Sequence, residues 1–165
     1  MIVHDRELPR VPSGPDLGWM LSLNNALHIE LGLLAPPALQ RLLDQAFRVR
    51  VIAPEDAFII ALEQGADYDS PNYRWFSSRY DRFTYIDRVA VAGHARKRGL
   101  ARLLYNDLFA AARDAGHTRI ACEVNYDPPN PASEAFHERL EFREVGRGTL
   151  PDRGKSVRYL LRDLA

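Results

Sequence analysis

Hydrophobic and polar positions divide the 165-residue chain into short elements of changing period. In "GWMLSLNN", residues 18–25, an apolar run closing on two asparagines predicts a first strand, and Leu27, Ile29 and Leu31 alternate through "ALHIELGLL" as a second extended piece. The period then lengthens. Leu39, Leu42, Leu43 and Ala46 recur at three and four behind a pair of prolines, which predicts an amphipathic helix over 35–47. "RVRVIA" and "DAFIIALE" follow as strands, "NYRWFSSRYDRF" as a short helix carrying Tyr73, Trp75, Phe76 and Tyr80, and "FTYIDRVAVAG" as another strand. From Gly99 to Ala115, Leu100, Leu103, Leu104, Leu108 and Ala111 mark a helix that Gly116 is placed to end. A strand "TRIACEVN", a helix "NPASEAFHERL" capped by Asn130, and two strands flanking "PDRG" complete the pattern.

Elements in this order describe an α/β fold with a mixed sheet, antiparallel strands leading and helix crossovers dominating the second half. Residues 1–17, with three prolines, read as a flexible lead-in to a single domain over 18–165. Acidic and basic residues balance at 22 each, so no overall field favours nucleic acid or an anionic membrane. The cluster Arg96, Lys97, Arg98 is therefore a local feature. Cys122 is the single cysteine, which excludes an internal disulfide and any multi-cysteine metal site and fits a buried thiol in a reducing compartment. No apolar run has signal-peptide length or approaches the ~18 residues of a membrane span, so a soluble, cytoplasmic protein is expected.

Candidate chemistry concentrates where the basic cluster meets a helix. Arg96 to Ala101 leave a strand, pass through Gly99 and open a helix at Leu100, where unpaired backbone N–H groups and the helix dipole favour an anion. Gly99 would let the backbone approach an oxygen or take an angle that a Cβ forbids, and Arg96 and Arg98 could add charge-assisted bonds. Pyrophosphate is the natural ligand type. The loop lacks both the "GK[ST]" ending of a P-loop and the "GxGxxG" of a dinucleotide fold, and a solvated basic turn would share its pattern.

The flanking residues separate these readings. "DRVAVAGHARKRGLARLLYNDLF" resembles motif A of the GNAT N-acetyltransferase superfamily, whose Q/R-x-x-G-x-G/A signature is met by Arg96, Gly99 and Ala101. "CEVNYDPPNPASEAFHERLEFREVG" is similar to the downstream motif B, with Leu140, Glu141 and Phe142 in place of its "LGF" ending. The resemblance implies a mixed, mostly antiparallel central sheet flanked by helices and splayed between the fourth and fifth strands, here 82–92 and 119–125. It also implies an acyl-CoA site. The backbone of Val89, Ala90 and Val91 would pair with the pantetheine arm, and the loop Arg96, Lys97, Arg98, Gly99, Leu100, Ala101 would hold the pyrophosphate.

Acetyl-CoA would then be the acetyl donor and a primary amine the acceptor, with direct attack, no covalent intermediate and no metal. Glu123 occupies the position of the family's general base and alternates away from Ile120, Cys122 and Val124, although a strand glutamate paired with an arginine would look the same. His137 stands where the family places an acidic tyrosine, and its alternative is a solvent-facing helix residue. Asn130, Ser133 and His137 share one helix face and are expected to line the CoA arm. Asn24, Asn25, Asp69, Tyr73 and Asp87 are the candidates for acceptor binding, with Asp67 in the same loop as Asp69. A non-catalytic acyl-CoA-binding or regulatory module is the rival from another class. Pairing of two copies through edge strands, as in many members of that family, stays open, and so does the identity of the amine.

Overall fold

A computed structural model describes residues 8–164. Its helices are α1 (Asp16–Ala26), α2 (His28–Leu31), α3 (Pro36–Gln45), α4 (Pro71–Ser77), α5 (Leu100–Asp114) and α6 (Pro131–Arg139). Its strands are β1 (Arg48–Ile52), β2 (Ala57–Glu63), β3 (Thr84–Val91), β4 (Arg119–Asp127), β5 (Arg143–Leu150) and β6 (Lys155–Asp163). The sheet is mixed and mostly antiparallel, in the order β1-β2-β3-β4-β6-β5, and β3 with β4 is its parallel pair. The chain divides into two compact units, one made of residues up to Leu62 with Ile86–Ala111, the other of Glu63–Tyr85 with Ala112 onward.

In the first unit β1 and β2 form an antiparallel hairpin, with Val51 opposite Phe58, and β2 is buried from Ala57 through Leu62. A strand covered on both faces reads as a continuous apolar run, as "AFIIAL" does. Along α5, Leu100, Leu104 and Leu108 are buried at intervals of four, each such side chain contributing about 1.5–3 kcal/mol of apolar burial. Leu103 and Ala111, expected in the same stripe, are only half-buried.

The first two expected strands are corrected. Residues 18–25 belong to α1, and 26–34 contain the single turn α2 followed by irregular chain. The buried stripe of α1 is Asp16, Met20 and Asn24, so two of its three inward positions are polar and the helical period is invisible in hydrophobicity. The alternation of Leu27, Ile29 and Leu31 fails because Ile29 is 60% exposed.

The expected lead-in is also altered where the structure describes it, its first seven residues lying outside the described range. Arg10 exchanges backbone hydrogen bonds with Val51 at 2.9 and 2.8 Å. Its guanidinium donates to both oxygens of Asp16 at 2.7 and 2.9 Å. Asp16 also accepts from the Ser13 N–H, the Ser13 hydroxyl and the Trp19 indole. The Arg10 guanidinium, helped by these neighbours, holds the buried Asp16 carboxyl well below the usual carboxylate range. Residues 10–16 are thus docked by a buried charge whose bonds are satisfied.

In the second unit β6 lies between β4 and β5, with Glu123 opposite Tyr159 and Gly146 opposite Tyr159 on the other side. The parallel register of β3 and β4 pairs Thr84 with Ile120 and Tyr85 with Ala121. Two helix ends in this unit use one motif. At the end of α5 the Gly116 N–H bonds to Arg113 and the His117 N–H to Ala112; at the end of α6 Glu141 bonds to Glu138 and Phe142 to His137. Both are left-handed terminations, with φ 82° at Gly116 and 67° at Glu141. Glu141 therefore takes a conformation normally left to glycine, at the position where "LGF" would have one.

Candidate active site

In the first unit the chain leaves β3, makes a short 3-10 turn over Gly93–Ala95 and enters α5 through the basic loop. Lys97 and Gly99 both have positive φ, 65° and 75°, on either side of Arg98. Alternating backbone handedness of this kind turns successive N–H groups toward one concavity that suits an anion. Nothing lies within 4 Å of the place a Gly99 Cβ would take, so the space in front of the turn is open. Arg96, Lys97, Arg98 and Gly99 are exposed, Ala101 is half-buried, and Leu100 packs inward. Among the described residues neither Arg96 nor Lys97 has an ion-pair partner, whereas Arg98 Nη1 donates to Asp56 Oδ2 at 3.1 Å.

Several expected residues of this unit have other duties. Asn24 is fully buried; its amide donates to the Gly32 carbonyl at 3.0 Å, and its oxygen accepts from Arg88 at 2.7 Å. Asn25 accepts from the Leu34 N–H at 2.9 Å and donates to the Leu34 carbonyl at 3.1 Å. These two side chains pin the segment after α2. Asp87, expected to meet the acceptor, instead accepts from Arg88 Nε at 2.6 Å in an ion pair. Val89 and Val91 are half-buried and Ala90 is buried on β3. A cleft of about 410 Å³ lined by Val11, Leu17, Leu43, Phe47, Arg48 and Arg50 holds none of the expected site residues.

The second unit builds a network around Glu123. The Tyr85 hydroxyl donates between the two carboxylate oxygens, at 2.9 and 2.8 Å, and the Asn72 amide donates to Oε1 at 3.0 Å. Tyr159 in turn donates its hydroxyl to Asn72 Oδ1 at 3.0 Å, which fixes the amide with its NH2 toward Glu123. Asn72, Tyr85 and Tyr159 are each no more than 5% exposed. Burial, then the neighbouring Glu123 charge, raises the Tyr159 phenol, so it stays protonated near neutrality. The partners of Glu123 thus include a phenol and an amide. Sequence reasoning missed Asn72, Tyr85 and Tyr159; the alternation of β4 and of "YIDRV" was the available signal for Glu123 and Tyr85 sharing a neighbourhood.

Helix α4 brings Asn72 into place. Ser70 caps it by accepting from the Tyr73 N–H, and Pro71 sits in its first turn. Trp75 stacks on Tyr159 with ring centroids 4.2 Å apart and planes at 17°, and Arg79 lies 4.0 Å over the indole. This stack lies against glycines of β5: an added Cβ at Gly146 would collide with Trp75, and one at Gly148 with the Tyr159 hydroxyl.

Tyr73 is corrected from acceptor contact to core. It is 2% exposed, donates to the Glu63 carbonyl at 2.7 Å, accepts from the Ala66 N–H at 3.0 Å, and packs against Phe83 and Tyr85. Asp69, by contrast, is exposed. His137 is also not the solvent-facing residue offered as an alternative: it is 5% exposed and packs edge-on against Phe136 and Phe142. Its Nδ1 bonds to the Ser133 carbonyl at 2.7 Å, and burial pulls its pKa below the usual histidine value. Asn130 caps α6 through the Ser133 N–H, so Asn130, Ser133 and His137 do share a face. Cys122 is buried and its thiol pushed up by desolvation, which leaves it a thiol. Among the described residues no group of three His, Cys, Asp or Glu side chains is placed to hold a metal ion, and no helix is long and apolar enough to cross a membrane.

Residues 36–142 match the family model described as the acetyltransferase (GNAT) family. The chain belongs to this family, whose class of activity is acyl transfer. No curated protein matches the chain's sequence. Its fold is similar to that of Ard1 from Thermoplasma volcanium, at 15% identity and TM-score 0.74 over 95% of this chain and 97% of that one. A ribosomal-protein-alanine N-acetyltransferase from Brucella melitensis is 21% identical, with TM-score 0.70 over 95% and 99% of the two chains. Arabidopsis thaliana NAA60 in complex with acetyl-CoA is 15% identical, with TM-score 0.72 over 94% and 97%. At these identities the likeness carries the fold.

Proposed function

We propose that the protein is an acetyl-CoA-dependent N-acetyltransferase that transfers the acetyl group to a primary amine by direct attack. The observation that carries this reading is the exposed turn with Lys97 and Gly99 both left-handed and open space before Gly99, in the strand–loop–helix position of the Q/R-x-x-G-x-G/A signature. A pyrophosphate accepted there would meet backbone N–H groups, the start of α5, and the side chains of Arg96 and Lys97. NAA60 with acetyl-CoA bound supports the choice of donor.

In the reaction the amine nitrogen attacks the thioester carbon, the carbonyl oxygen carries the negative charge of the tetrahedral intermediate, and the C–S bond then breaks. Backbone N–H groups around 89–91 are the proposed oxyanion donors. Glu123 accepts the amine proton, directly or through water, held in orientation by Tyr85 and Asn72. The CoA thiolate needs a proton, and His137 is the proposed donor; with its Nδ1–H held by the Ser133 carbonyl, it gives that proton from Nε2 of the doubly protonated ring, which solvent reprotonates after each turnover. Asp69 remains the proposed acceptor contact from the acidic loop, being exposed and able to meet an ammonium group.

The test is thermal unfolding with and without acetyl-CoA, in the wild type and in Gly99→Glu. Ligand at about 100 times its Kd adds roughly 2.7 kcal/mol, a shift on the order of 5 °C for a chain this size. The shift should vanish in the variant, whose side chain would enter the open space. A wild type with no shift would overturn the reading. A shift without amine-dependent thiol release would replace the enzyme by a non-catalytic acyl-CoA-binding module.

A further inference from the structure

We propose that Asp56, on the turn between β1 and β2, is the positioning residue that holds the basic loop in its ligand-ready shape and so sets selectivity for donors that carry a pyrophosphate. The proposal rests on the reading of the loop given above. Asp56 is buried, and it grips the loop at three points. Its carbonyl accepts from the Ala92 N–H at 2.8 Å. Its carboxylate meets His94 Nε2 at 3.0 Å through Oδ1 and accepts from Arg98 Nη1 at 3.1 Å through Oδ2. The turn that presents it is itself closed by the Asp56 N–H on the Ile52 carbonyl at 3.0 Å.

The grip falls where the backbone most needs it. Lys97, a non-glycine residue, and Gly99 both have positive φ, and Arg98 stands between them. A left-handed lysine persists only where its surroundings over-determine the conformation. Drawing Arg98 toward Asp56 supplies that constraint, because the residue between the two left-handed ones is then anchored. Ala92 and His94 fix the approach to the same turn. A loop anchored in this way loses less freedom when an anion arrives, which is the source of its affinity.

The pairing also assigns the charges. The Arg98 guanidinium is matched by a buried carboxylate, so the phosphates face the N–H groups together with Arg96 and Lys97. Asp56 thus acts on the donor through the loop and not by touching it.

The experiment compares two acetyl donors, acetyl-CoA and acetyl-pantetheine, the second lacking the pyrophosphate and nucleotide. In Asp56→Asn the ratio of kcat/KM for acetyl-CoA to that for acetyl-pantetheine should fall about tenfold, in keeping with loss of a charge-assisted bond. Arg98→Met should produce the same fall, and the double variant no more than either, because the two side chains act as one unit. A generally damaged fold would slow both donors together and leave the ratio intact. An unchanged ratio in both single variants, with a wild type that prefers acetyl-CoA, overturns the role of Asp56 alone. Additive losses in the double variant would overturn the latch. A wild type that releases thiol from neither donor overturns the acetyltransferase reading and this inference with it.

Discussion

In the basic loop of the first unit, polar capacity points outward: Arg96 and Lys97 are exposed and have no ion-pair partner among the described residues, and the space before Gly99 is open. Around Glu123 in the second unit it points inward, each of Tyr85, Asn72 and Tyr159 meeting another member of the network. A surface built from backbone turns and exposed cations suits capture of a charged ligand, and its parts can be changed one at a time. A buried network holds one group in one orientation, and its parts depend on one another. Affinity and turnover should therefore respond to different substitutions.

The largest effect expected from that separation is on turnover. Glu123→Gln should lower kcat by about a hundredfold or more, the usual scale of a lost general base, while acetyl-CoA affinity measured by calorimetry stays nearly constant. Retention of full kcat would remove Glu123 from the chemistry and make the network a piece of core. Arg96→Ala should show the reverse, a roughly fivefold weaker acetyl-CoA complex that is less sensitive to salt than the wild type, with kcat preserved at saturation. A drop in kcat there would mean that the two regions are not separable.

The smallest effect concerns His137. Its folded pKa lies below the ordinary 6.5, because burial outweighs the Ser133 carbonyl. The unfolded chain consequently binds a proton that the native chain resists. This contribution to stability is present above about pH 6.5 and is lost as pH falls toward the folded pKa. Melting temperatures followed from pH 7.5 to 5.5 should drop more steeply for the wild type than for His137→Gln. Parallel curves would show that the buried ring is not what titrates.

How much the sequence revealed depends on whether the signal was local. The end of α5, the cap of α6 at Asn130 and the turn at Gly99 each need a particular residue at a particular backbone position, so each could be located from a few neighbouring letters. The same logic explains Glu141: the motif fixes a left-handed residue before Phe142, and the structure shows the glutamate adopting it. Helix α1 has the hydrophobic pattern of a strand because its buried face carries Asp16 and Asn24, whose burial depends on Arg10, Ser13 and Arg88 elsewhere in the chain. Asp56 and Asn72 were silent for a related reason. Each looks like an ordinary polar residue beside a proline-containing turn, and only the partners that the fold brings up, Arg98 for one and Glu123 with Tyr159 for the other, distinguish it.

The stack of Trp75 on Tyr159 has a bearing on how this chain can vary over time. Gly146 is confined to a hydrogen side chain by the indole of Trp75, and Gly148 by the hydroxyl of Tyr159, not by any unusual backbone angle. A lineage could enlarge residue 146 only after residue 75 had become smaller, and restoring the tryptophan would then be blocked until the change at 146 was undone. Among descendants of one ancestor, the letters at 75 and 146 should therefore travel as a pair, and those at 148 and 159 as another.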